Sequence, residues 1–206
     1  EPYVETPRED ALPPVSLSPW LRDRIAQVAR TRSAPIPPLA QAGQIWSVAY
    51  RGERGGIEVG GRIPMLLDRP GEGGGWQGWL VSADPDYASR ADVIIDTREF
   101  GIAPVACMVQ TWNRVEAVRD DAAPYLGQLD PEMLAAVRAV AAESPATRPA
   151  EGAPGMLGRR EVGAGVFVLT GQELGPAQDP RWGYRRLYYE LSAMLPQLAP
   201  GHDYDD

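Results

Sequence analysis

Lysine is absent from this chain, and cysteine and histidine occur once each. All 20 basic residues are therefore arginine, which together with many Ala, Gly and Pro residues is typical of a GC-rich genome. The single cysteine, Cys107, excludes an internal disulfide, and its apolar surroundings in PVACMVQ predict a buried structural thiol. The single histidine, His202, lies in the acidic segment APGHDYDD. This composition excludes a histidine-based triad in the core and a histidine-rich metal site.

Long apolar runs and the common cofactor motifs are also missing. No stretch reaches the 18 apolar residues of a membrane-spanning helix, so we expect a cytoplasmic protein without a membrane partner. The sequence has no phosphate-binding GxxxxGK[ST], no dinucleotide-binding GxGxxG opening a helix, no paired CxxC and no HExxH. We therefore expect no cofactor and no metal. The net charge of −8 disfavours a protein that neutralises nucleic-acid phosphates over a broad surface.

Proline and glycine, at 21 and 22 residues, are abundant and divide the chain into three parts. Residues 1–41 open with the acidic, Pro-rich segment 1–17, followed by a short amphipathic helix that Ser18 can cap and that carries Trp20. Residues 42–143 are predicted to form a small barrel domain that ends in a helix. Residues 144–206 contain a linker, a possible extra strand in REVGAGVFVLTGQEL, an aromatic-rich helix and an acidic tail.

Short apolar segments between Gly/Pro turns predict the strands of this barrel. A Gly-rich loop, RGERGGIEVGGR, is expected between the first two strands, and Pro64 is expected at the beginning of the second. The fifth segment is long enough for one strand or a pair. The predicted strands are GQIWSVAY, IPMLLD, WQGWLVS, ADVIID and VACMVQTWNRVEAVR.

Two helices follow from capping signals and apolar spacing. In LDPEMLAAVRAVAAE, Asp130 is placed to cap the helix and Pro131 to occupy its first position. The last helix, in DPRWGYRRLYYELSAMLPQLA, has an apolar stripe that can pack on the barrel or on a partner. The stripe consists of Tyr184, Leu187, Tyr188, Leu191, Met194 and Leu195.

From residue 42 to about 142 the order of motifs resembles the MazF/PemK toxin family. The family's first strand has a GDIW-type motif, and here GQIW spans Gly43–Trp46. A Gly-rich G-x-R-P segment before an apolar strand is matched by GGRIPMLLD, and a strand ending in Thr or Ser by GWLVS, which ends at Ser82. YLGQLDPEMLAAVRAV, Tyr125–Val140, matches the family's late helix. The resemblance implies an α+β, mainly β fold: an SH3-like antiparallel barrel with flanking helices.

The resemblance also implies a catalytic pair. Active members are metal-independent endoribonucleases in which an Arg before the strand-opening Pro stabilises the scissile phosphate and a Thr or Ser on the next strand assists. The matching residues here are Arg62 and Ser82, but Ile63 separates Arg62 from Pro64. A shift of one residue turns a strand side chain to the opposite face. Four other arginines either add charge near this site or lie on the solvated surface: Arg51, Arg54, Arg69 and Arg114.

Two functions therefore stay open. The first is a toxin-type endoribonuclease that cleaves single-stranded RNA with Arg62 and Ser82. The second is a regulatory protein-binding module with weakened or lost cleavage, whose partner is antitoxin-like or a transcription regulator. Aromatic residues dominate contact energies, so the candidate anchors for a partner are Trp20, Trp182, Tyr184, Tyr188 and Tyr189. A homodimer is expected from the resemblance alone.

Overall fold

The computed structural model describes residues 39–143, 154–163 and 165–196, together with Ala26. Apart from Ala26, the helix predicted after Ser18 lies outside these described residues, as do Trp20 within it and the acidic segments at both ends. Within them the chain forms one eight-stranded antiparallel sheet and two α-helices. The prediction of a mainly β, α+β fold is thereby confirmed in this general form.

The strands follow the sheet order β6-β1-β2-β3-β5-β4-β8-β7. Among the described residues no pairing joins the two edge strands, β6 and β7, so the ladders alone do not show a closed barrel. The strands are β1 (Gln44–Arg54), β2 (Ile57–Pro70), β3 (Trp76–Ser82), β4 (Asp92–Ile94), β5 (Met108–Ala117), β6 (Tyr125–Gln128), β7 (Leu157–Val162) and β8 (Val166–Gly171). The helices are α1 (Pro131–Ala142) and α2 (Pro180–Ala193).

The Gly-rich loop predicted over residues 51–62 is wrong, because these residues continue β1 and begin β2. The two strands form a long hairpin that pairs as far as Arg54 and Ile57. Its turn is Gly55–Gly56, with φ values of 58° and 79°, as a two-residue type I′ turn requires. Only this pair makes the turn, and Arg62 consequently lies inside a strand.

Pro64 does not begin its strand as predicted but lies in the middle of β2, opposite Ser47. The sheet tolerates it because no donor is needed at this point. The ladder between β2 and β3 ends at the Met65–Leu80 pair, immediately after Pro64. On the other side, the amide of Ser47 donates to the carbonyl of Pro124 at 2.9 Å instead of to β2. Pro64 therefore still lies where no ladder donor is needed, but in the middle of β2 and not at its beginning.

The remaining elements match the predictions to different degrees. The bounds of β3 are those predicted, β4 is shorter than its predicted segment, and β5 is one strand. The possible extra strand is a hairpin of two, β7 and β8, and β8 pairs with β4 in the same sheet. Sequence reasoning missed β6, a four-residue strand just before α1.

The sheet has an apolar core on each face, because successive side chains of a strand point to opposite sides. One face packs on α1, with Ile45, Leu66, Trp79 and Val81 of the sheet against Leu134 and Val137. The other packs on α2, with Trp46, Val48, Met65 and Leu80 of the sheet against Tyr188 and Leu191. Each helix therefore covers one face, and α2 lies on the side to which the end of β3 directs Ser82.

Both helices begin at an Asp-Pro pair. The carboxylate of Asp130 accepts a hydrogen bond from the amide of Met133 at 2.7 Å, and Pro131 occupies the first turn, which confirms the predicted cap of α1. Asp179 caps α2 in the same manner, accepting from the amide of Arg181 at 2.9 Å. Such caps satisfy backbone donors that the first turn leaves free.

Candidate functional site

Arg62 and Ser82 line one pocket of about 610 Å³. The pocket lies where β2, β3 and α2 meet the loops on either side of β5. Its remaining walls are largely apolar and include Ile63, Pro64, Val81, Pro104, Leu126, Tyr188 and Leu191. The structure therefore brings the two predicted catalytic residues to one cavity, although Arg62 is displaced by one position from the family pattern.

The guanidinium of Arg62 is engaged by groups of the protein itself. Its Nη1 donates to the carbonyl of Ser47 at 2.8 Å, and its Nη2 donates to Oδ1 of Asp120 at 2.9 Å. The hydrogen bond between the two side chains lowers the pKa of Asp120 and raises that of Arg62. Asp120 is fixed in turn by the amide of Ala122, at 3.0 Å from the same oxygen. A carboxylate therefore balances the positive charge that a phosphate would need.

Ser82 is buried at the end of β3, beneath α2. Burial raises the pKa of the Tyr184 and Tyr188 phenols, and the nearby Ser82 hydroxyl offsets a part of this rise. Ser82 Oγ itself has no hydrogen-bond partner of acceptable geometry among the described residues. Both phenols stay protonated at neutral pH, so neither supplies a base that could activate the serine.

The four other arginines considered as sources of charge do not line this pocket. Each has an acidic or amide partner outside this pocket, on the sheet or, for Arg54, on α2, which agrees with their interpretation as surface residues. The pairs are Arg51 with Glu58, Arg54 with Glu190, Arg69 with Gln77, and Arg114 with Asp68.

The predicted partner anchors separate into two groups. Tyr184 and Tyr188 pack towards the sheet, and the Tyr184 ring stacks on Tyr87 with centroids 4.6 Å apart. Trp182 and Tyr189 are instead 41% and 52% exposed. They line a second, shallow pocket of about 550 Å³ together with Gly175, Ala177, Arg185 and Arg186. We call the patch formed by Trp182, Arg185, Arg186 and Tyr189 the aromatic surface.

The rings of the aromatic surface are held in place. Trp182 Nε1 donates to the carbonyl of Gly175 at 3.1 Å. The guanidinium of Arg185 lies 4.5 Å from the ring centroid of Trp112 and 5.9 Å from that of Trp182. Trp112 also meets Tyr189 edge to face, with centroids 5.0 Å apart. Such interlocked rings lose little conformational entropy on binding.

A buried polar network supports this surface from below. Oδ2 of Asp92 accepts from the Ser89 hydroxyl at 2.6 Å, and Oδ1 accepts from Trp112 Nε1 at 2.8 Å. Arg185 Nη2 donates to Ser89 Oγ at 2.7 Å. Burial raises the pKa of Asp92 and lowers that of Arg185, while their opposite charges partly offset both shifts. The charge of Arg185 is thus matched inside the protein, whereas Arg186 has no ion pair among the described residues.

The first turn of α2 is anchored by Arg181, whose side chain is 0% exposed. Its Nη2 donates to Oδ2 of Asp179 at 2.6 Å and to the carbonyl of Glu173 at 2.7 Å. Its Nη1 donates to the carbonyls of Gln172 and Ala88 at 3.0 and 3.2 Å. This residue fixes α2 over Ser82 and sets the position of the aromatic surface.

Sequence reasoning missed Asp120, Arg181 and the network around Asp92. Only Arg181 had a usable signal, because Asp-Pro-Arg at a helix start places the arginine beside the capping carboxylate. Asp120 stands in an RDDAAP segment in which nothing distinguishes it from its neighbour.

The described part of the chain holds no group of three His, Cys, Asp or Glu side chains suited to a metal ion. None of its helices combines the length and apolarity needed to cross a membrane. No family model, no curated protein and no solved structure matches this chain.

Proposed function

We propose that this chain is a regulatory protein-binding module built on a MazF/PemK-like, SH3-like barrel whose cleavage activity is weakened or lost. The motif order from residue 42 to 142 supports the barrel part of the proposal. The observation that carries the functional part is the pairing of Arg62 with Asp120 and with the Ser47 carbonyl.

This pairing opposes RNA cleavage for an electrostatic reason. Attack of a ribose 2′-oxygen on the adjacent phosphate builds negative charge, which a preorganised guanidinium stabilises. Here the guanidinium already donates to a carboxylate, and a phosphate would have to displace Asp120 or bind beside its negative charge. Misplacement of such a group by about 1 Å lowers a rate by about a hundredfold.

The position of Ser82 also opposes RNA cleavage. Its hydroxyl is buried beneath Tyr184 and Tyr188 of α2, so a chain of RNA would have to displace the helix to reach it. Arg181 fixes the start of that helix through a buried ion pair. Cleavage and a firmly anchored α2 are therefore in conflict.

The aromatic surface supports the binding part of the proposal. Rigid Trp and Tyr side chains beside arginine are the residue types that contribute most to binding at protein interfaces. Here they are exposed on one helix and held by neighbouring groups. We propose that this surface receives an extended protein segment, of an antitoxin-like protein or a transcription regulator.

Capture from a lysate of the source organism tests this proposal. The immobilised chain and a Trp182→Ala/Tyr189→Ala double variant are compared, with Phe167→Ala as control because Phe167 is exposed on β8 outside the aromatic surface. We expect the same partner band with the wild type and the control, reduced at least about tenfold with the double variant. Equal capture by all three proteins would overturn the proposal.

A metal-independent endoribonuclease is the second candidate. The observation that favours it is that Arg62 and Ser82 line the same pocket. If that activity exists, Asp120→Ala should increase cleavage of single-stranded RNA, since it removes the charge that competes with phosphate. Arg62→Ala should abolish it.

A further inference from the structure

We infer that the acidic, Pro-rich segment 1–17 of this chain docks on the aromatic surface and competes there with an external partner. The inference rests on the proposed function, because both occupants use the same surface.

The shape suits an extended, proline-containing peptide. Trp182 and Tyr189 are both exposed, and the small residues Gly175 and Ala177 leave a shallow pocket between them and the preceding loop. Proline rings pack on aromatic faces, and a Pro-rich peptide loses little conformational entropy because it is already extended. Segment 1–17, EPYVETPREDALPPVSL, carries four prolines.

The charge of the surface is complementary to that of the segment. Arg186 is exposed, and neither an ion pair nor a hydrogen bond of its side chain is present in the described part of the chain. The positive charge of the neighbouring Arg185 is partly offset by the carboxylate of Asp92 beneath it. Segment 1–17 contains four acidic residues and one arginine, so it is attracted to Arg186.

The chain is long enough for this contact. Residues 18–38 separate the segment from Leu39, where the continuous described part begins. These 21 residues span up to about 70 Å when extended. A domain of this size has a radius of gyration of roughly 16 Å. Tethering raises the effective concentration of the segment to about 1 mM, so even a weak contact with a Kd near 0.1 mM is mostly occupied.

Trypsin cleavage after Arg8 in the intact chain tests the inference. The initial rate of release of fragment 1–8 is measured by mass spectrometry and compared with cleavage of a synthetic peptide of residues 1–17. Docking is expected to slow the reaction in the intact chain about tenfold, since only the undocked fraction is cut. Arg186→Glu and Trp182→Ala should each bring the rate to within about twofold of that of the peptide.

The matched control is Arg98→Glu, which changes the net charge equally in an exposed turn after β4. Its rate should stay that of the wild type, and circular dichroism checks that each variant is folded. Cleavage of the wild type as fast as the peptide would overturn the inference. Protection that survives both variants of the aromatic surface would also overturn it, because the segment would then dock elsewhere.

These results are distinguishable from a failure of the proposed function. Protection of Arg8 without any captured protein would contradict the external partner alone. Capture that depends on Trp182, with Arg8 unprotected, would contradict the docked segment alone.

Discussion

Replacement of Arg181 by methionine should destabilise the fold strongly, although the side chain touches neither candidate pocket. The substitution keeps a long side chain but removes the donors to Asp179 and to three main-chain carbonyls. The carboxylate of Asp179, 3% exposed, loses its charged partner and keeps only the backbone amides of Gly175 and Arg181 as donors. Breaking a buried ion pair from one side costs about 3–5 kcal/mol. For a chain of this length that corresponds to a fall in Tm of roughly 6–20 °C.

Urea unfolding followed by circular dichroism measures this effect. Arg186→Met is the control, since Arg186 is exposed on the same helix. The free energy of unfolding of this variant should differ from that of the wild type by no more than about 0.5 kcal/mol. The Asp179→Asn/Arg181→Met double variant should lose less than the sum of the single changes, because the two residues interact directly. A loss below about 1 kcal/mol for Arg181→Met would refute the role of Arg181 as the anchor of α2.

The remaining predictions concern pH, backbone packing and the pairing of Arg62. The hydrogen bond from Arg181 lowers the pKa of Asp179 from 3.8 to about 2, so the carboxylate contributes about 2 kcal/mol above pH 4, and this is lost as the pH falls towards 2. Urea unfolding at pH 5 and pH 2.5 should therefore show the difference between the wild type and Asp179→Asn shrinking at the lower pH; an unchanged difference would contradict the shift. Gly78→Ala should destabilise the fold by at least about 1–3 kcal/mol, since the new Cβ would collide with the Leu66 carbonyl. Gly183→Ala should stabilise it by about 0.5–1 kcal/mol, since a Cβ at this position of α2 meets open space. Thermal unfolding of both variants checks these changes, and equal shifts of Tm for the two would contradict the packing around Gly78 and Gly183. Asp120→Ala should change RNA binding more than stability, because the ion pair between Asp120 and Arg62 is partly exposed. Filter binding with a single-stranded RNA should show a lower Kd for the variant than for the wild type. A higher Kd would contradict the competition between carboxylate and phosphate.

The elements that could be predicted are those in which local pattern and tertiary environment agree. WQGWLVS became β3 because its bulky residues fill the core on both faces. LDPEMLAAVRAVAAE became α1 because its cap and its apolar face are local features. The β1–β2 hairpin could not be predicted in its full length, since glycines usually mark loops. Here Gly61 lies inside β2 opposite Tyr50, whose phenol occupies the space that a side chain at position 61 would need.

The candidate site could be predicted only in part. Arg62 and Ser82 were located by the order of motifs, and they do line one pocket. The partner of Arg62 could not be foreseen, because Asp120 is 58 residues away and is brought close only by the β5–β6 connection. Charged residues in a sequence are normally expected on the surface. The buried ion pair of Asp179 and Arg181, which fixes α2 over the sheet, was therefore not predicted from the sequence.

Metal-free incubation of the intact chain with a long, mixed-sequence single-stranded RNA tests the proposed loss of cleavage most directly. The wild type and Arg62→Ala are compared at equal concentration, and the products are resolved by gel electrophoresis. We predict no site-selective cuts with either protein, because Asp120 holds Arg62 and α2 covers Ser82. Site-selective cuts by the wild type that vanish in Arg62→Ala would contradict the binding-module proposal and establish an endoribonuclease.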